Sequence, residues 1–132
     1  MKEFKLQIVT PDGIEYDGMA ESVLVRTDDG DVQILAGHVN YMASLGTGRA
    51  KITVGGKDRI AACSGGFITC NGIEVKLVAV TFEFADEIDI ERAKRAKERA
   101  EDEIRRAASD KELELARARL RRAMSRISVA GK

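Results

Sequence analysis

The chain has 132 residues, 44% hydrophobic and 33% charged, and its 22 basic and 22 acidic residues give a formal net charge of zero. This composition is typical of a soluble globular protein with one domain, or of a small domain with an appendage, and no apolar run approaches the roughly 20 residues that span a membrane. The N-terminal stretch MKEFKLQIVTPDG lacks the apolar region and cleavage site of a signal peptide, so we expect a cytosolic protein.

Residues 1–84 have the pattern of short β-strands joined by tight turns. Apolar and polar residues alternate in FKLQI (4–8), which is followed by the turn signal TPDG (10–13). The dipeptides GG (55–56) and NG (71–72) predict two hairpins, and eleven of the twelve glycines precede residue 75. No helical period separates these strands, so the segment predicts an antiparallel sandwich or barrel and not an α/β enzyme.

Beyond residue 85 the period of the apolar residues changes to 3.6, which predicts α-helices. The apolar residues form two stripes: Ala93, Ala96, Ala100, Ile104 and Ala107, then Leu113, Ala116, Leu120, Ala123, Met124 and Ile127. Ser109 and Glu112 match a capping box, and Asp86 or Asp89 can cap the first helix. We therefore predict helices over 89–108 and 110–129, joined by a tight turn as an antiparallel hairpin.

No catalytic constellation is present in the sequence, so we predict a non-catalytic protein without a metal site. The lone histidine, His38, has no nucleophile motif beside it, and we predict a structural role for it. Cys63 and Cys70 lie in apolar surroundings and fit neither a zinc nor a redox spacing, which favours buried thiols. The stretch VGGKD resembles the end of a phosphate-binding loop, but Lys51 and Asp58 stand where that loop needs glycine and a hydroxyl residue.

Arginine is concentrated in the helical segment, where ten of the thirteen arginines lie beyond residue 90. At 100° per residue, Arg92 and Arg99 fall on one flank of the first stripe, and Arg119 and Arg126 fall on the flank of the second stripe that faces them. Arg122 points further towards solvent but lies one turn from Arg126. Because the planar guanidinium fork matches phosphate oxygens, this seam is a candidate polyphosphate site.

Two other interpretations of this basic surface stay open at this point. Glu103 and Glu112, on the same flank nearer the turn, would neutralise part of the charge while water screens the rest. Nucleic-acid binding is disfavoured, because eleven carboxylates are mixed into residues 86–132 and no aromatic residue for base stacking follows Phe84.

The seam of the predicted hairpin is mostly alanine on its first helix. Alanine favours the helical state but buries little apolar area, at about 25 cal/mol per Å². The two helices can thus persist while separating from each other, which permits a hinged element. A hairpin fixed on the β domain is the alternative.

Several motifs in this order resemble the epsilon subunit of bacterial F-type ATP synthase. They are VTPDG near the start, GDVQILAGH (30–38), SGGF (64–67) and the closing helical hairpin, so the resemblance covers essentially the whole chain. Gln33, Ala36 and Asn40 depart from the family's usual Gly, Pro and Pro in the loop around residues 33–40.

The resemblance implies an α+β fold, with an antiparallel β-sandwich domain over 1–85 and a helical hairpin domain over 86–132. It implies a central-stalk subunit that docks on the gamma subunit and the c-ring, and that couples proton translocation to ATP synthesis. It also implies that the hairpin can extend into the alpha/beta catalytic hexamer and inhibit ATP hydrolysis, where the basic second helix would face acidic segments. The protein would lie on the cytoplasmic side of the bacterial cell membrane as a peripheral, non-spanning part of the complex.

Some members of this family bind ATP on the folded hairpin through a motif written I/L-D-x-x-R-A, which residues 88–93 match. By this resemblance Asp89 accepts from the adenine amine, the small Ala93 leaves room for the base, and Arg92 meets phosphate. The implied ATP-binding residues are Glu83, Ile88, Asp89, Arg92, Ala93, Arg99, Arg122 and Arg126, with Arg119 in reserve. ATP would be a regulatory ligand with no metal required, and the alternative is the same stalk subunit acting without nucleotide binding.

Overall fold

The computed structural model describes residues 2–131, which form ten β-strands, a single 3-10 turn and two α-helices. The strands are β1 (Phe4–Thr10), β2 (Gly13–Ala20), β3 (Ser22–Thr27), β4 (Gly30–Leu35), β5 (Tyr41–Ser44), β6 (Thr47–Val54), β7 (Lys57–Ser64), β8 (Phe67–Cys70), β9 (Glu74–Val78) and β10 (Thr81–Phe84). The 3-10 turn at Ala85–Glu87 leads into α1 (Ile90–Arg106) and α2 (Asp110–Ala130). The predicted α+β class and the two helices are confirmed, with helix bounds within two residues of those predicted.

The strands form two five-stranded sheets, one in the order β2-β1-β9-β8-β5 and the other in the order β10-β7-β6-β3-β4. Their facing apolar side chains, among them Leu6, Ile34 and Leu77, make a single core between the sheets. The architecture is therefore the sandwich, not the barrel. All pairs within the sheets are antiparallel except β1 and β9, which run parallel. This exception results from long-range pairing, which local turn signals do not encode.

Turn chemistry predicted the local hairpins correctly. The dipeptide at 55–56 connects β6 to β7, and the one at 71–72 lies in the connection between β8 and β9. Gly66, in the SGGF motif, has a φ of +93°, and a Cβ there would overlap the carbonyl oxygen of Val78. Only glycine can hold this position, where the backbone passes directly against the end of β9.

Both cysteines are free and buried, as predicted. Cys63 lies on β7 in one sheet and Cys70 on β8 in the other. Burial raises the pKa of the Cys63 thiol to about 12, so it stays protonated at neutral pH. His38 is part of a loop, where Nδ1 lies 2.7 Å from the carbonyl oxygen of Val39 and the ring contacts Tyr41 edge-on.

The helical hairpin begins and turns at side-chain caps. The Asp89 carboxylate accepts from the Arg92 amide at 3.1 Å, so Asp89 and not Asp86 caps α1. The Ser109 hydroxyl accepts from the Glu112 amide at 3.1 Å, as the capping box predicts. The Glu112 carboxylate, however, accepts from the amide of Ala108 at 3.0 Å, one residue earlier than in the standard box, and so ties down the turn between the helices.

The inward face of the hairpin is narrower than the predicted stripes. Its fully buried members are Ala93, Ala100, Ala116, Ala123 and Val129. Met124, predicted to lie on the stripe, is 50% exposed, because its neighbour Ala123 occupies the face and the next residue points about 100° away. The small side chains allow close approach of the two helices but bury little apolar area.

The hairpin lies against the second sheet through α2, which contacts β6 and β7, while α1 contacts mainly α2. At its base, the Arg59 guanidinium stacks 3.7 Å from the centre of the Phe84 ring and lies 3.9 Å from an Asp86 carboxylate oxygen. In the part of the chain that the structure describes, neither helix is long and apolar enough to cross a membrane.

Candidate functional site

A cleft of about 530 Å³ lies where the helical hairpin meets the sandwich. Because β1 and β9 are parallel, they end at the same edge of their sheet, and this brings Thr10 close to the crossing at Val80 that leads into β10. The Ala79 amide donates to the Val9 carbonyl at 2.9 Å and joins the two strand ends. From there β10 and the 3-10 turn lead directly into α1, so the cleft is bounded by the β1–β2 turn, by β10 and by both helices.

Six of the eight residues implied by the family resemblance line this one cleft, namely Glu83, Asp89, Arg92, Ala93, Arg99 and Arg126. Ile88 and Arg122 do not line it. The volume lies within the roughly 300–1,000 Å³ of small-molecule sites. The helical spacing of the arginines predicted a site between the two helices, whereas the cleft also has a third wall, which the sandwich provides.

Arg126 is tied to the sandwich by an ion pair. Its Nε lies 3.2 Å from Oε1 of Glu83, and the two side chains are 29% and 38% exposed. The pair joins the second helix to β10. Since Nε faces the carboxylate, the terminal nitrogens of the guanidinium fork are the donors that a phosphate in the cleft would meet.

The other arginines of the hairpin seam differ in whether a carboxylate lies within ion-pair distance. Arg119 donates from Nη1 to Oε2 of Glu103 at 3.0 Å across the hairpin, as the charge-neutralising interpretation predicts for Glu103, whereas Glu112 accepts from the Ala108 amide. Arg92 and Arg99, in contrast, have no carboxylate within ion-pair distance among residues 2–131. Two unpaired guanidiniums therefore face the cleft beside Arg126.

Arg122 lies beside this group, half-buried on α2. Burial is the main cause that lowers the pKa of its guanidinium, and the positive charges of Arg126, Arg119 and Arg121 lower it further. Within residues 2–131 no carboxylate lies within ion-pair distance of it. A bound anion would relieve this unfavourable charge density.

Five carboxylates also line the cleft, those of Asp12, Glu15, Glu83, Glu87 and Asp89. Asp12 and Glu15 were missed by the sequence reasoning. They lie more than 70 positions before the helical motif, and only the tertiary structure brings the VTPDG turn against the hairpin. One carboxylate oxygen of Asp89 is occupied in capping α1.

Metal ligation is not supported by these groups. Among residues 2–131, no set of three or more His, Cys, Asp and Glu side chains is arranged to hold a metal ion. The cleft is suited to binding: its guanidiniums, all from the helices, suit an anionic group, and its carboxylates suit hydrogen-bond donors.

Comparison with known proteins yields matches over the whole chain. The family model described as ATP synthase, Delta/Epsilon chain, beta-sandwich domain matches residues 3–85, and the model for the long alpha-helix domain of the same chain matches residues 86–131. A protein of Bacillus velezensis named ATP synthase epsilon chain is 42% identical over 131 residues, which cover 99% of either chain. One of the same name from Ruminococcus albus is 41% identical over 133 residues, covering 100% of this chain and 99% of that protein.

Solved structures with the same fold include chains of two mitochondrial ATP synthases. A chain in the cryo-EM structure of the Euglena gracilis enzyme, with OSCP, F1 and c-ring in rotational state 1, superposes with a TM-score of 0.82 at 22% identity, covering 98% of this chain and 82% of that one. A chain from the central stalk and c-ring structure of the Tetrahymena thermophila enzyme gives 0.67 at 13% identity, covering 98% and 97%. At these identities the likeness shows the fold alone.

Proposed function

Because this chain belongs to the delta/epsilon chain family of ATP synthase, we propose that it is the epsilon subunit of the central stalk of a bacterial F-type ATP synthase. In this role the sandwich docks on the gamma subunit and the c-ring. The subunit is a non-catalytic part of a machine that couples proton translocation to ATP synthesis, held peripherally at the cytoplasmic side of the membrane. The family membership and full-length similarity support this proposal.

The finer part of the proposal is that the folded hairpin binds ATP as a regulatory ligand. The observation that carries it is the convergence of Arg92, Arg99 and Arg126 on one cleft together with Asp89 and Ala93. The first two guanidiniums have no ion-pair partner among the described residues. Three guanidiniums in one cavity of small-molecule size match the charge of a polyphosphate, and their planar forks suit its oxygens.

Binding at this cleft would control the position of the hairpin. The cleft exists only while the helices lie against the sandwich, because its walls come from both. A ligand that binds this form alone stabilises it by RT ln(1 + [L]/Kd), about 2.7 kcal/mol at a hundredfold excess over Kd. When ATP is scarce the hairpin is freer to extend along gamma into the catalytic hexamer, where the basic α2 inhibits ATP hydrolysis.

Equilibrium dialysis of the full-length chain with ATP tests the nucleotide site. We expect uptake of one ATP per chain, and loss of most of that uptake in the double variant Arg92→Ala plus Arg126→Ala. The matched control is Arg95→Ala plus Arg117→Ala, which removes one exposed guanidinium from each helix outside the cleft. Equal uptake by both double variants, or none by the unaltered chain, would remove the nucleotide site from the proposal.

A second candidate is the same stalk subunit acting as a structural and inhibitory protein without nucleotide binding. The observation in its favour is that carboxylates outnumber arginines in the cleft and that Glu83 already pairs with Arg126. ATP hydrolysis by the reconstituted enzyme separates the two. Hairpin-dependent inhibition that ATP relieves in the unaltered subunit, but not in Arg92→Ala plus Arg126→Ala, supports the sensor. Inhibition of equal strength in both supports the second candidate.

A further inference from the structure

We propose that Asp12 and Glu15, the acidic wall of the cleft, select a nucleoside polyphosphate over an inorganic polyphosphate and orient its phosphates towards the helices. The inference rests on the proposed nucleotide site and adds a specificity determinant from the β1–β2 hairpin. The acidic wall recognises the sugar of the ligand, through the hydrogen-bond donors of its hydroxyls.

The strand pairing beside the acidic wall is irregular at Glu15. Along β1 and β2, Ile8 is opposite Tyr16 but Val9 is opposite Ile14, so the ladder skips Glu15. Such a bulge leaves one residue unpaired and re-aims its side chain, and bulges are over-represented next to functional sites. Glu15 lines the cleft from this position.

The turn that carries Asp12 is held by its own side-chain contact. The Thr10 hydroxyl accepts from the Asp12 amide at 3.2 Å, in the TPDG turn at the end of β1. Within residues 2–131 neither Asp12 nor Glu15 has a basic partner within ion-pair distance. Both carboxylates thus reach the cleft with unused acceptor capacity, whereas Glu83 is occupied by Arg126.

The cleft therefore has arginines on its helical side and carboxylates on its sandwich side, with two further carboxylates, those of Glu87 and Asp89, where the 3-10 turn leads into α1. Arg92, Arg99 and Arg126 come from the helices, and the acidic wall comes from the sandwich. A phosphate close to the acidic wall is repelled, while ribose hydroxyls find acceptors there. An inorganic polyphosphate is charged at both ends and meets repulsion in either orientation. A nucleotide has one uncharged, donor-bearing end and does not.

The test compares the affinities of the full-length chain for ATP and for inorganic tripolyphosphate, by calorimetry in a buffer with excess EDTA so that no metal bridges the carboxylates. The selectivity is the tripolyphosphate Kd divided by the ATP Kd. We expect this ratio to fall about tenfold in Asp12→Asn plus Glu15→Gln, since two repulsive charges near the phosphates are removed and the acceptors for the sugar are weakened. Both substitutions keep side-chain size at exposed or half-exposed positions, and circular dichroism verifies the fold.

Asp17→Asn is the matched control, because Asp17 is an exposed carboxylate on β2 that does not line the cleft. We expect its ratio to equal that of the unaltered chain, which would show that losing a carboxylate outside the cleft does not change the selectivity. If the unaltered chain binds ATP and the double variant keeps the original ratio, the acidic wall is refuted while the nucleotide site stands. If the unaltered chain binds neither ligand, the nucleotide site itself fails and the acidic wall with it.

Discussion

Replacing Arg126 with alanine removes the ion pair that joins α2 to β10. The Nε–Oε1 distance of 3.2 Å to Glu83 is well formed, but both side chains are about one-third exposed, so solvent screens the attraction. We therefore expect a contribution at the upper end of surface pairs, about 0.5–1 kcal/mol. Because the pair spans the two parts of the molecule, its loss should favour undocking of the hairpin over global unfolding, and the docking equilibrium should shift about two- to fivefold.

Native-state hydrogen exchange measures this shift directly. Amides of α2 should exchange about two- to fivefold faster in Arg126→Ala, because an undocked α2 has lost its packing on the sandwich and its hydrogen bonds open more readily, while those of β6 and β7 in the sandwich should not change. Arg117→Ala is the matched control, because Arg117 is exposed on the same helix and does not line the cleft. We expect no change in its exchange rates.

A double-mutant cycle with Glu83→Gln isolates the pairwise contribution. The Arg126→Ala effect should largely disappear when Glu83 is already neutral, and it should shrink as salt is raised. Equal acceleration of exchange by Arg126→Ala in both backgrounds would refute the reasoning, since the arginine would then be acting through packing and not through the ion pair.

Three further outcomes are expected from the fold. Gly66→Ala should lower the free energy of unfolding by about 3 kcal/mol in urea titrations, because φ is +93° and the new Cβ meets a backbone carbonyl; Gly46→Ala, where the nearest atom is at an ordinary 3.5 Å, should cost much less. Ser109→Ala should destabilise the start of α2 by about 1 kcal/mol, seen as faster amide exchange in its first turn, and Ser109→Thr should retain most of the protection. Burial raises the pKa of Cys63 to about 12, so its contribution to stability is complete below the pKa of about 8.5 in the unfolded chain and is lost as pH rises towards 12. Between those values the free energy of unfolding should fall with pH more steeply than in Cys63→Ala, by up to about 1.4 kcal/mol per pH unit, and equal slopes would contradict the burial argument.

Local features of the fold were predictable because their causes are local. Turn residues set the hairpins, and the change of period at residue 85 separated strands from helices. Ser109 was correct as a cap, and Asp89 was one of the two candidates for α1, because a short polar side chain before an apolar-periodic run satisfies the free amides of the first turn. The prediction for Met124 was wrong, because the small Ala123 beside it, and not hydrophobicity alone, decides which face allows close packing.

The candidate site was predictable only in part. Helical geometry brought Arg92, Arg99 and Arg126 together, and these line one cleft. It also grouped Arg119 with them, but Arg119 forms an ion pair with Glu103 across the hairpin. Whether a guanidinium is free or paired depends on residues many positions away, and a helical wheel does not contain that information.

The order of short strands and alanine-rich helices, with their turns and caps, was determined by the sequence alone, since each depends on residues within a few positions of one another. The third wall of the cleft was decided only by the tertiary structure. A parallel pairing of β1 with β9 joins strands about 70 residues apart, and it carries Asp12 and Glu15 to the base of the hairpin. The physical reason is that strand pairing is selected by burial of the whole core, a property of all the strands together and not of any one segment.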